Sequence, residues 1–124
     1  MIERGQYTGI IKTMPADWLK NVPGGLERWE ELIFTMNRTD TVSWRFNLPG
    51  RPKYDVLHFY LLLDGLVRFR ANIIGYDEAE TVRCYDRTNH FGKCWVNLGP
   101  PVVKAPRRIE MKGFQGFRYT EGLW

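Results

Sequence analysis

At 124 residues, with 44% hydrophobic and 15% aromatic content, the chain has the length of a single domain and enough apolar material for a core that needs no staple. Its two cysteines, Cys84 and Cys94, exclude a secreted disulfide framework, and no apolar run reaches the roughly 20 residues needed to cross a bilayer. The formal net charge of +4 is concentrated in the second half: residues 102–118 carry Lys104, Arg107, Arg108, Lys112 and Arg118 against the single acid Glu110, a balance that suits an anionic partner.

In chain order, Met1-Ile2-Glu3-Arg4-Gly5 lacks the charged and apolar regions of a signal peptide, so a cytoplasmic location without membrane contact is expected. Gln6–Thr13 reads as a first strand. Pro15-Ala16-Asp17-Trp18-Leu19-Lys20 has the form of a helix start, broken by Pro23-Gly24-Gly25. From Leu26 to Asn37, apolar Leu26, Trp29, Leu32, Ile33 and Met36 recur at helical spacing, with Glu27, Glu30 and Glu31 early and Arg38 at the end, as the helix dipole favours. Thr41–Phe46 predicts a strand, and Leu48–Lys53 a rigid loop.

Tyr54–Leu63 and Leu66–Tyr76 are apolar runs separated by Asp64-Gly65 alone, which predicts a two-residue hairpin. A regular register sets Leu61 opposite Arg68 and Phe59 opposite Arg70. Val56, His58, Tyr60, Leu62, Val67, Phe69, Ala71 and Ile73 then form the core face, and a single bulge would exchange the faces beyond it. After Asp77-Glu78-Ala79-Glu80, Thr81–Tyr85 predicts a further strand, Asp86–Gly92 a loop, and Lys93–Leu98 a strand stopped by Gly99-Pro100-Pro101. Arg108–Lys112 alternates polar and apolar. The expectation is an α+β domain spanning residues 1–124: a small, partly closed β-barrel of about five to seven mostly antiparallel strands, with one or two helices in the N-terminal half.

An early strand, a helix, the Trp44-Arg45 strand, the hydrophobic hairpin and the closing Lys112-Gly113-Phe114-Gln115-Gly116-Phe117-Arg118-Tyr119 together resemble the PUA-like superfamily, in particular its ASCH and EVE branches. ASCH proteins usually carry Gly-x-Lys-x-x-Glu-x-Arg after the first strand. Here Gly9-Ile10-Ile11-Lys12-Thr13 lacks the Glu and Arg. The resemblance implies a small barrel whose cleft accepts RNA, DNA or a modified nucleotide, RNA being favoured over DNA.

The residues point the same way where cations interleave with aromatics, because guanidinium groups pair with phosphate and rings stack on bases. The candidate binding residues are Trp44, Arg45, Arg51, Lys53, Arg68, Arg70, Lys104, Arg107, Arg108 and Arg118, with Trp44 as the stacking ring. Cys84, His90 and Cys94, with Asp86, have a spacing that matches no paired metal-ligand pattern, so no metal is expected. Pro23-Gly24-Gly25 has neither Walker nor dinucleotide spacing, so no cofactor is expected either. His58 reads as a structural histidine on an apolar strand. The alternatives are a small ASCH-type hydrolase or nuclease using Lys12 and Thr13, which adjacent positions on a strand would point to opposite faces, and a protein-interaction module of a phage or mobile element.

Overall fold

A computed structural model describes residues 7–14, 24–38, 44–83 and 89–124. The expected helix start at Pro15–Lys20 lies outside them. The described elements are β1 (Gly9–Met14), α1 (Gly25–Phe34, continued by a 3₁₀ turn Thr35–Asn37), β2 (Trp44–Leu48), β3 (His58–Leu63), β4 (Leu66–Arg83), β5 (Asn89–Lys104) and β6 (Phe117–Thr120). They form one curled, half-barrel sheet of order β2-β5-β4-β3-β1-β6, antiparallel except for the parallel β1–β3 pair. The fold is a small, mostly β member of the α+β class. Among the described residues no helix is long and apolar enough to cross a membrane.

The β3–β4 hairpin forms at Asp64-Gly65, where φ is 52° and 76°. Both residues take the left-handed conformation that a twist-matched two-residue turn requires, which Asp tolerates and Gly adopts freely. Leu63 faces Leu66 and Leu62 faces Val67 as expected. A bulge between Leu61 and Leu62 then sets Leu61 opposite Phe69, and Phe59 opposite Ala71. The expected core face is therefore corrected. Phe59, Leu61, Phe69 and Ala71 lie in one buried cluster, and Tyr60, Leu62 and Val67 in another. The first cluster fills the side of the sheet that α1 covers with Trp29 and Ile33 and its 3₁₀ turn with Met36, and the second is roofed by Ile109, Met111, Phe114, Leu123 and Trp124. With apolar neighbours on both sides, β3 has no solvent face to make polar, hence its unbroken run Phe59-Tyr60-Leu61-Leu62-Leu63.

Two further expectations are corrected. Asp77–Glu80 does not end a strand: β4 runs on to Arg83 because its backbone stays paired with β5, from Asp77 opposite Trp95 to Arg83 opposite Asn89. Likewise β5 passes through Gly99-Pro100-Pro101, whose Pro–Pro bond is cis. The missing N–H groups are tolerated because they fall in a register shift between the Arg70–Val103 and Asn72–Gly99 pairs, beyond the last residue that β2 pairs. The Asn37 side chain takes over there, donating to the Val102 carbonyl at 2.8 Å and accepting from its N–H at 2.6 Å. That pair of bonds ties the end of the helix to β5. Arg108–Lys112 forms no strand of its own, only a bridge from Glu110 to Leu66.

Candidate functional site

The two edges of the curled sheet, β2 and β6, approach each other across the β2–β3 connection. The Lys53 backbone N–H donates to the Tyr119 hydroxyl at 2.7 Å, and the Tyr54 and Tyr119 rings meet at 4.8 Å. At this seam lies a cleft of about 440 Å³ lined by Lys12, Asn47, Leu48, Pro49, Phe91, Lys93 and Gly116. No carboxylate lines it among the described residues.

Lys12 sits on β1 between Leu61 of β3 and Phe117 of β6, so ladders on both sides fix its backbone. It shares a sheet face with Ile10, in the cluster beneath α1. Among the described residues no hydrogen bond or ion pair holds its ammonium, and burial pushes its pKa below the ordinary lysine value. Thr13 points the other way and accepts a hydrogen bond from the Phe114 N–H at 3.1 Å. The hydrolase pairing of Lys12 with Thr13 is thus not assembled on this strand.

Phe91 and Lys93 flank Gly92 on β5. A Cβ at position 92 would lie 2.5 Å from the Trp95 indole nitrogen and 2.9 Å from Asn47 Oδ1, so only glycine lets the backbone pass there. The Trp95 indole is itself fixed by donating to the Glu80 carbonyl at 2.8 Å. Phe91 leaves 60% of its surface in water, an uncommon exposure for a large apolar ring. Asn47 and Lys93 are exposed. The cleft therefore combines two ammonium groups, an exposed ring and an amide.

The ten residues that the sequence marks are dispersed, and most hold partners within the chain. The half-buried ring of Trp44 meets Trp29 edge-on at 6.2 Å and packs on the core. Arg45 is bound to Glu80 at 2.5 Å and Asp77 at 3.4 Å. Arg51 lies 5.0 Å over the Tyr76 ring, and Arg118 lies 4.2 Å over Phe114. Arg108 pairs with Glu110 at 3.0 Å. Arg68 donates to the Leu63 carbonyl at 3.0 Å. Arg70 and Arg107 converge on the last two residues, donating to the main-chain oxygens of Trp124 and Leu123. Lys104 lines a separate groove of about 640 Å³ along α1, shared with Glu27, Glu30 and Glu31. Lys53 is exposed near the seam but outside the cleft lining.

His58 is half-buried near Tyr60, with ring centroids 6.5 Å apart. Burial and then the charge of Arg70 lower its pKa, which keeps it neutral at neutral pH. Cys94 is a buried free thiol in the core, its pKa raised first by burial and then by Glu78. Cys84 and Asp86 lie outside the described residues, among which no group of three His, Cys, Asp or Glu side chains is placed to hold a metal ion.

Phe91, Lys93 and Asn47 are not among the residues that the sequence marks. The available signal is Phe91-Gly92-Lys93, an aromatic and a cation flanking a glycine in a stretch otherwise read as loop. Comparison with protein families, with curated proteins and with solved structures finds no match.

Proposed function

We propose that the chain is a PUA-like domain that binds nucleic acid, RNA in preference to DNA, or a modified nucleotide, in the seam cleft. The observation that carries the reading is the meeting of Lys12, Lys93, Phe91 and Asn47 around one cleft without a described carboxylate. The two ammonium groups hold phosphate oxygens. Phe91 stacks a base, and the Asn47 amide, both donor and acceptor, reads a base edge. The Lys112–Tyr119 segment, the stretch most like PUA-like proteins, contributes Gly116 to the same lining. Arg45 and Arg108, by contrast, are already neutralised by carboxylates and have less charge to offer a phosphate.

An NMR titration of isotope-labelled protein with short single-stranded and duplex RNA and DNA tests this. Shifts are expected to cluster on Lys12, Asn47, Phe91, Lys93 and Gly116 and to be largest for single-stranded RNA. Phe91→Ala removes about 1–3 kcal/mol of stacking per base, a loss of roughly five- to 150-fold in affinity. Lys12→Met keeps most of the side chain's length, removes its charge and weakens binding, with changes in the free spectrum confined to the neighbourhood of position 12. A spectrum unmoved by every oligonucleotide and mononucleotide would end the reading.

A further inference from the structure

We propose that Lys12 is a nucleophilic amine that captures a phosphate-bearing aldehyde as an imine in the seam cleft. The proposal rests on the reading of this cleft as an anion-binding site. Lys12 differs from the other described lysines in the features that set amine reactivity. Lys53, Lys93, Lys104 and Lys112 are exposed, whereas Lys12 is half-buried, held on a strand paired on both sides, and has no carboxylate partner among the described residues. An exposed lysine with a pKa of about 10.4 is almost wholly protonated at neutral pH, and its ammonium has no lone pair to donate. Burial depresses the Lys12 pKa, and each unit of depression gives about tenfold more free amine. Lys93, on the same lining, supplies the fixed positive charge for the phosphate, and Phe91 supplies an apolar wall.

The step balances without an oxidant or reductant. Lys12 binds phosphate as its ammonium, and the fraction of it that is free amine attacks the aldehyde carbon, a C–N bond forms, and the carbonyl π pair moves to oxygen. That oxygen takes up the proton released from nitrogen to give a carbinolamine. Loss of its hydroxyl with the remaining N–H proton, as water, leaves the C=N bond. The amine and aldehyde thus become an imine and water. Two sources present this chemistry: a small phosphorylated aldehyde, and the ring-opened sugar at an abasic position in a nucleic-acid strand.

The full chain is incubated at near-neutral pH with substoichiometric pyridoxal 5′-phosphate, reduced with borohydride, and mapped by peptide mass spectrometry. In parallel, a single-stranded oligonucleotide carrying one abasic deoxyribose is trapped with cyanoborohydride. The expected result is an adduct several-fold more abundant on Lys12 than on any other lysine, lost in Lys12→Arg and reduced several-fold in Lys93→Gln. Capture of both probes identifies a damaged strand as the source, and capture of the small aldehyde alone identifies a free phosphorylated compound. Label spread evenly over the exposed lysines, or undiminished in Lys12→Arg, overturns the proposal. Nucleotide-induced shifts at the cleft without a Lys12 adduct would sink this inference and leave the binding reading standing. A Lys12 adduct with no response to any nucleotide would do the reverse.

Discussion

A lysine drawn out of water with no acid beside it destabilises the fold that contains it, since burial of an uncompensated charge is among the costlier local features a protein retains. Among the described residues Lys12 has that character, whereas Arg45, with Asp77 and Glu80, is an exposed ion-paired group worth at most about 1 kcal/mol. The contrast is why the cleft outweighs the more numerous arginines as a candidate site. His58 is another side chain whose titration the fold disturbs. Its folded-state pKa is depressed below 6.5 by burial and by Arg70, so the unfolded chain binds the proton more readily. Its contribution to stability is complete above about pH 6.5 and is lost as the pH falls through that value towards the depressed one. Urea unfolding of wild type and His58→Gln between about pH 7.5 and 5 is expected to show the wild type losing stability faster on acidification. Parallel curves would mean that His58 titrates as it does in the unfolded chain. Lys12, His58 and Thr13 are each visible in the sequence as polar groups on strands. Their environments are not, because burial of a strand residue depends on which distant segments cover it.

At the level of elements, one side chain adds a pair of hydrogen bonds to the apolar packing that joins helix and sheet. Asn37 supplies both a donor and an acceptor to Val102, where the proline pair interrupts the β5 ladder. Removing it leaves two backbone groups of the buried Val102 unpaired, so Asn37→Ala is expected to cost about 2–3 kcal/mol, measured as a lower urea midpoint with an unchanged slope. Asn37→Asp, which keeps the acceptor and loses the donor, should fall between. A loss below about 0.5 kcal/mol would mean that water replaces the amide at no cost. The helix and the hairpin turn are legible because their signals are local: the spacing of Trp29, Ile33 and Met36, and the Asp64-Gly65 pair. The lengths of β4 and β5 are not legible, since both Asp77–Glu80 and Pro100-Pro101 are strand-breaking by composition: the first is kept in the sheet by partners remote in sequence, and the second is carried in a register shift between the paired Gly99 and Val103. The face of Phe69 and Ala71 turns on one bulge, which leaves no clear residue signature at Arg68.

For the molecule as a whole, two accounts of its positive charge give different salt dependences. The net +4 acts as a long-range field that speeds encounter with any polyanion and is screened within about 8 Å at physiological salt. Affinity for a single strand responds instead to the phosphates neutralised in the complex, with log K falling by about 0.7 per contact for each decade of salt. Binding in the seam cleft engages Lys12 and Lys93, so a slope of about −1.4 is expected for short single-stranded RNA. An interface spread over roughly six of the surface cations would give about −4. Lys93→Gln should halve the slope. Arg107→Ala, which removes a guanidinium that already donates to the Leu123 carbonyl, should leave it unchanged. Isothermal titration or fluorescence anisotropy over a decade of salt measures the difference directly. A slope of about −4 that flattens with each arginine removed would move the binding surface from the seam to the outer face of the sheet, and a slope of about −1.4 carried by the two lysines would keep it in the cleft.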